Sequence, residues 1–349
     1  MAERAGLTAV ILAAGKGVRM RSALPKVLHP VLGRPMVQAV VDTVRSVGAT
    51  TVALVVGYGR ERLTAALAGQ DLVFVEQAEQ LGTGHAVQCW ARTVTPPPTV
   101  LIACGDTPLL SAATLREMIE RHQRERPALT MMTLLMREPG SYGRVLRDAG
   151  GEVRAIREAK DCTPAELAVR EINLAVYLCD GPALFAQLPR LRNANRQGEY
   201  YLTDVVEGLV TSGQRVIAVQ EHDERSTLGI NSRLDLVQVA AVMREQIAQR
   251  HLLAGVGIDD PATTVIEPRV EIAPDTHLLP GTILAGATRI AGPCVIGPHV
   301  ELRDAVVGEG ARIRFAVVEG VTVPPGATVG PFEHWDGNGR RAVCGAARE

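Results

Sequence analysis

The chain has 349 residues, long enough for two domains and a sizeable core. Its 37 basic and 38 acidic side chains leave a net charge of −1, so no cationic surplus exists to neutralise a nucleic-acid backbone or an anionic membrane. Aromatic residues make up only 3% of the chain, which leaves few rings for stacking bases and hands the packing to alanine, valine and leucine.

The first two hundred residues alternate short β-branched runs with helical stretches. Thr8–Ala13 and Thr51–Gly57 read as buried strands, and Met36–Val47 as a helix between them. Strands are further predicted at Val73–Glu76, at Thr99–Cys104 after the PPP connection of 96–98, at Leu129–Leu135 and at Val216–Val219, with a helix over Ala112–Glu125. Such alternation predicts an α/β domain, residues 1–232, built on a mostly parallel sheet covered on both faces. Apolar positions Leu234, Val237, Ala241, Met243 and Ile247 then mark a linking helix over 233–254.

After Gly255 the period changes to six. Ile266, Ile272, Leu278, Leu284, Ile290, Ile296 and Leu302 recur at that interval, and a proline or glycine stands two residues after each of the first six. An aliphatic in every hexad followed by a turn former is the repeat of a left-handed parallel β-helix, in which stacked aliphatics fill the core. The phase slips after Leu302, resumes at Val307 and Ile313, and is expected to return at Val317, Val323 and Val329. Residues 255–331 are therefore read as a short β-helix, and 332–349 as a tail that caps it or is disordered.

No apolar run approaches the ~20 residues that span a bilayer, and the opening MAERAG lacks the pattern of a secretory leader, so a cytoplasmic protein is expected. Cys89, Cys104, Cys162, Cys179, Cys294 and Cys344 are scattered and form no C-x-x-C pair, which signals neither a zinc cage nor a disulfide framework. Lysine occurs only at positions 16, 26 and 160; the other 34 basic residues are arginine.

Two of those lysines flank one loop. The first strand runs into Leu12-Ala13-Ala14-Gly15-Lys16-Gly17-Val18-Arg19-Met20, and Pro25-Lys26-Val27-Leu28 follows closely. A glycine-rich turn after a strand either offers backbone N–H groups to a phosphate or serves as a plain tight turn. It is not the dinucleotide fingerprint, because Met20 replaces the third glycine, and no G-K-[ST] closes it as a Walker loop.

The segment L-A-A-G-K-G-V-R-M followed by P-K-V-L resembles the signature of sugar-1-phosphate nucleotidylyltransferases. Gln77-Ala78-Glu79-Gln80-Leu81-Gly82-Thr83-Gly84-His85-Ala86, Cys104-Gly105-Asp106-Thr107-Pro108-Leu109, Tyr142-Gly143-Arg144, Glu171-Ile172-Asn173, Gly198-Glu199-Tyr200-Tyr201-Leu202-Thr203-Asp204 and Gly229-Ile230-Asn231-Ser232-Arg233 narrow the likeness. In that order they resemble the N-acetylglucosamine-1-phosphate uridylyltransferases, the first half of bifunctional bacterial enzymes that make UDP-N-acetylglucosamine. The likeness runs from about residue 8 to residue 331.

The resemblance implies transfer of UMP from UTP to a sugar-1-phosphate, with Asp106 and Asn231 holding Mg²⁺ through hard oxygen ligands. It places Arg19 and Lys26 against the phosphates, supported by Leu12, Ala13, Ala14 and Gly15. Gln77, Gly82 and Thr83 would read the base beside Cys104 and Gly105, while Gly143, Glu158, Asn173 and Thr203 would contact the N-acetyl sugar. The attacking sugar phosphate oxygen is already an anion, so catalysis is positioning plus charge stabilisation and needs no Ser, Cys or His nucleophile. The family's β-helices pack as trimers, which implies a homotrimer here. Two departures stand out. Leu174-Ala175 follows Asn173 where the family usually has small residues, often Thr-Gly, and the motifs of the family's acetyltransferase half are absent, with His334 in no matching context. Two other readings remain open: the same chemistry on another sugar or nucleotide, and a non-catalytic regulator that binds a UDP-sugar. A β-helix acyltransferase fails for want of coils and motifs.

Overall fold

The computed structural model describes residues 6–342, without side chains beyond Gly339, and divides into two compact units. One comprises the chain up to His29 together with Pro35–Leu236; the other comprises Pro30–Arg34 and the chain from Val237 onward. Five residues, Pro30–Arg34, thus group with the later unit. Leu32 packs against the aliphatic core of the second unit, which explains why this short excursion groups with it.

The first unit is built on a nine-stranded sheet: β1 Leu7–Ala13, β2 Ala49–Val56, β3 Val73–Glu76, β4 Thr99–Cys104, β5 Leu129–Leu135, β6 Arg144–Arg147, β7 Val153–Arg157, β8 Glu171–Asp180 and β9 Val216–Glu221. Its main order is β9-β5-β8-β4-β1-β2-β3, with β6 and β7 attached through β8. Strands β1, β2, β3 and β4 are parallel neighbours, and β8 runs antiparallel between β4 and β5. The sequence pattern did not mark β8, because most of its residues are buried on both faces and it has no alternation to read. After β3 the chain returns to lay β4 on the other side of β1, so the strand order reverses there. In open α/β sheets such a reversal leaves a crevice beyond the carboxyl ends of the two strands. Trp90 anchors the packing on one side, buried and edge-on to Phe185 at 5.6 Å.

The second unit begins in the helix Arg233–Leu253 and continues as a left-handed β-helix of three parallel sheets. Three aliphatic columns run through it. Ile258, Leu278, Ile296, Ile313 and Val329 form one; Ile266, Leu284, Leu302 and Val318 the second; Ile272, Ile290, Val307 and Val323 the third. One expectation is corrected: the residue stacked on Leu302 is Val318, fully buried, and not Val317, which pairs with outward-facing Glu301. The later coils shorten, and the loss of residues at a corner moves the core position by one, which flips the face of the strand.

Buried threonines on all three faces of the coil were not anticipated. Thr264, Thr276, Thr282 and Thr288 each stand two residues before a core aliphatic and are almost wholly buried. Thr282 and Thr288 donate their hydroxyls to the carbonyls of Leu279 and Ala285, each at 2.7 Å, so a residue of valine's shape also ties down its own turn. Within the segment read as a tail, Glu333–Asp336 and Gly339–Ala342 form an antiparallel hairpin, the first strand of which continues the sheet of Ala316–Glu319. Cys344 and the remainder of that segment lie outside the described residues. Among the described residues all five cysteines are free thiols, and no helix is long and apolar enough to cross a membrane.

Candidate active site

At the carboxyl ends of β1 and β4 lies a cavity of about 280 Å³. Its wall is formed by Leu12, Ala13, Ala14 and Gly15 from the first strand and turn, Lys26 and Val27, then Gln77, Gln80, Gly82, Thr83 and Ala86, and Cys104, Asp106 and Glu199. Residues far apart in sequence meet here because Leu12 pairs with Cys104 across the two parallel strands. The Gly105 amide then donates to the Leu12 carbonyl at 2.9 Å. A larger cavity, about 780 Å³, opens at the other ends of the same strands, but Arg45, Thr50 and Arg116 are among the residues that line it and none of the expected site residues reaches it.

The charged centre is a three-residue cluster. The Lys26 ammonium pairs with the Asp106 carboxylate and donates to the Asn231 side-chain oxygen at 3.2 Å. Gly17 makes room for it: with φ +61, a left-handed conformation, its absent Cβ would stand 2.6 Å from the Lys26 Cβ. The Asn231 loop is fixed to the same strand end, since the Ile230 amide donates to the Asp106 carbonyl at 2.9 Å. Asp235 holds it from behind, accepting from the amides of Asn231 and Ser232, both at 2.9 Å. Sequence reading overlooked Asp235, although Ser232-x-x-Asp235 has the spacing of a helix capping box.

Cys104 stands next to this cluster without being a nucleophile. Burial, reinforced by the Asp106 charge, pushes its thiol up to about 12, and nearby Lys26 only partly offsets this. The Tyr142 phenol is raised for the same reasons, burial first and then the charges of Asp106 and Asp235.

The segments 81–86 and 198–204 zip together along the cavity. Tyr200 donates its amide to the Leu81 carbonyl, the Gly84 amide donates to the Tyr200 carbonyl, both at 2.8 Å, and the Leu202 amide donates to Thr83 Oγ1 at 3.1 Å. Gly82 has φ +107, and a Cβ there would meet the Tyr200 carbonyl at 2.6 Å. Thr83 is therefore spent on fastening the wall. Gln77 is buried with its amide nitrogen donating to the Gly82 carbonyl at 3.0 Å, so Oε1 is the side-chain atom left to a ligand.

Gly143, Glu158, Asn173 and Thr203 gather in a separate cluster. The Asn173 amide donates to the Gly143 carbonyl at 2.9 Å, and Thr203 donates to Glu158 at 3.2 Å. Burial raises the Glu158 carboxyl; the Thr203 bond works against this, and the charges of Asp204, Asp161 and Glu199 add to it. Arg19 does not join the cavity wall. It is exposed on a short 3-10 turn, Val18–Met20, whose buried residue is Met20. Gln80, Ala86 and Glu199 line the cavity without having been singled out as site residues.

The oxygen donors fit a divalent cation of the hard class. Among the described residues no group of three or more His, Cys, Asp or Glu side chains is arranged around a common point. Asp106 and Asn231 instead offer one carboxylate and one amide oxygen that already converge on a single cation, the Lys26 ammonium. A small pair of this kind suits an ion that keeps waters and takes substrate phosphate oxygens.

Residues 9–254 match the family model described as MobA-like NTP transferase domain. The chain is 43% identical over 327 residues to a protein of Geobacillus sp. (strain WCH70) named "Bifunctional protein GlmU", with 93% of this chain and 71% of the relative covered. A protein of the same name from Exiguobacterium sp. (strain ATCC BAA-1283 / AT1b) is 42% identical, over 97% of this chain and 74% of that one. Among solved structures, a UDP-glucose pyrophosphorylase complexed with UDP-glucose shares the fold, with a TM-score of 0.58 at 17% identity, 69% of this chain and 99% of that chain being covered.

Proposed function

The chain belongs to the family of MobA-like NTP transferase domains and is a relative of the bifunctional GlmU proteins, and we propose that it transfers UMP from UTP to N-acetylglucosamine-1-phosphate, releasing pyrophosphate. The observation that carries this reading is the convergence of Lys26, Asp106 and Asn231 beside the Leu12–Gly15 turn.

In this reading a sugar phosphate oxygen forms a bond to the α-phosphorus while the bond to pyrophosphate breaks on the opposite side. The nucleophile needs no deprotonation, and the protein contributes placement and charge. Lys26 neutralises charge that builds on the phosphoryl oxygens. The amides of Ala14 and Gly15 hold the nucleotide phosphates, and exposed Arg19 swings onto the outer phosphates when the nucleotide is bound. Asp106 and Asn231 would hold Mg²⁺, which would supply further charge neutralisation at those oxygens. Gln77 Oε1 accepts from the uracil imide N–H and the Gly82 amide donates to a neighbouring carbonyl, a pattern cytosine cannot satisfy. Glu158, Asn173, Thr203 and the Gly143 backbone bind the sugar.

The division of labour follows the sequence: catalysis in residues 1–232, a helical link over 233–254, and a β-helix over 255–331 that assembles the chain as a cytoplasmic homotrimer. No acetyl transfer is assigned to these coils. His277 in the coils and His334 just beyond them are each paired with a carboxylate, Asp259 at 2.5 Å and Glu319 at 3.0 Å, which supports structural roles. One observation favours a second reading, the same reaction on a different sugar: Leu174 is buried and Ala175 sits at φ +54 beside Asn173, where smaller residues are usual in the family.

Pyrophosphate release with UTP, Mg²⁺ and either N-acetylglucosamine-1-phosphate or glucose-1-phosphate tests the proposal, with Asp106→Ala as control. Release with the acetylated sugar, abolished by the substitution, is expected. Release with glucose-1-phosphate alone would keep the chemistry and replace the substrate. No release with either from folded protein would refute the enzymatic reading.

A further inference from the structure

Strand β8 carries an irregularity at the point where it supplies Asn173. Asn173 pairs with Thr133, yet the next paired residue is Tyr177, opposite Met131, so two surplus residues bulge from β8 between them. Ala175 lies in that bulge with φ +54, a left-handed conformation that disfavours any residue but glycine. Such strain persists where the surroundings over-determine it, and it concentrates at ligand sites.

The bulge folds Asn173 and Tyr177 onto each other. Asn173 Nδ2 donates to the Tyr177 hydroxyl at 2.7 Å, and Asn173 Oδ1 accepts from the Ala175 amide at 3.2 Å. Its backbone amide is bound to the Gly143 carbonyl at 2.9 Å. Both side chains are buried, Asn173 at 6% and Tyr177 at 2% exposure. The Ala175 N–H can only donate, which assigns the oxygen end of the amide, and together with the Tyr177 bond it locks the torsion. One N–H and one acceptor position of Asn173 are left for a ligand.

We infer that Tyr177 is a positioning residue for the sugar-phosphate half of the site: its hydroxyl, together with the left-handed Ala175, holds the Asn173 amide in the orientation that meets the sugar. This rests on the uridylyltransferase reading above, in which Asn173 contacts the sugar. Tyr177 itself touches no substrate. Its core position would otherwise suit phenylalanine, and the hydroxyl is retained there despite the burial that lifts its pKa well above the ordinary tyrosine value.

The test is Tyr177→Phe, with Asn173→Ala and the double variant completing a cycle. Loss of one buried neutral hydrogen bond predicts a rise of roughly 5- to 10-fold in KM for N-acetylglucosamine-1-phosphate. KM for UTP is expected to stay within twofold, and the melting temperature to fall by only a few degrees for the buried Asn173 N–H left without its partner. In the Asn173→Ala background the same substitution should change nothing further, because the group it positions is gone. Tyr177→Met, which also lacks the hydroxyl and repacks more readily, repeats the test should phenylalanine fail to fold. An unchanged sugar KM in either hydroxyl-free variant, an equal rise for UTP, or an additive loss in the double variant would overturn the inference while leaving the enzymatic reading intact. Absence of turnover by wild-type protein with any sugar-1-phosphate would overturn both.

Discussion

Replacing Lys26 by alanine removes the cation that both Asp106 and Asn231 address. Two magnitudes follow, and they differ enough to be told apart. For catalysis, deleting one preorganised donor from a charge-stabilising site costs ~10²–10³ in turnover, or about 3–4 kcal/mol of transition-state stabilisation. For stability, the Lys26–Asp106 pair has side chains 13% and 22% exposed. It therefore falls between a surface pair, worth ~0–1 kcal/mol, and a fully buried one, whose breakage costs ~3–5 kcal/mol. About 1–2 kcal/mol is expected, which lowers the melting temperature by only a few degrees. Initial rates of pyrophosphate release should thus fall at least a hundredfold at a temperature where circular dichroism shows the variant still folded. Lys26→Arg should recover little, because a forked guanidinium cannot take the place of a compact ammonium whose aliphatic stem packs under Gly17. A Lys26→Ala enzyme that kept more than a tenth of wild-type activity would refute the central role given to this cluster.

Gly17→Ala should cost activity at least tenfold while lowering stability by only ~1–2 kcal/mol, since its left-handed backbone and 2.6 Å approach to Lys26 force the loop off that side chain; steady-state rates and melting curves measured together check this. In the β-helix, Thr282→Val should destabilise by ~1–2 kcal/mol because it orphans a buried carbonyl bond, whereas Thr276→Val, at a hydroxyl with no partner, should be neutral or stabilising. Chemical denaturation of the two variants compares them, and equal losses would remove the distinction. Burial, with help from the Glu207 charge, raises the Asp204 carboxyl to about 6. The folded chain then binds more protons than the unfolded one between about pH 4 and 6, so this group's contribution to stability declines as pH rises through that window. Asp204→Asn should gain stability relative to wild type on going from pH 4 to pH 7, and parallel melting profiles in the two proteins would contradict the assignment.

Local periodicity was enough to read the strands Val73–Glu76, Thr99–Cys104 and Leu129–Leu135 and the helix Ala112–Glu125, because each buries one pattern of side chains that neighbouring residues alone specify. The hexad repeat likewise announced its three stacked columns, since every coil repeats the same local requirement. The motifs also pointed to Lys26, Asp106, Gln77 and Gly82, which the fold brings to one cavity with Leu12–Gly15 and Cys104. What the sequence could not supply was pairing between distant segments. It did not reveal that β8 runs antiparallel in the middle of the sheet, that Gly143, Glu158, Asn173 and Thr203 cluster apart from the cavity, or that Arg19 lies outside its wall. It put the late core position at Val317 because spacing alone cannot show where a coil has shortened; only the register against Leu302 moved it to Val318. Composition and period fix what each segment must bury. Which polar atoms then face one another depends on the return of β4 beside β1 and on a bulge in β8, and those are decided when the whole chain closes.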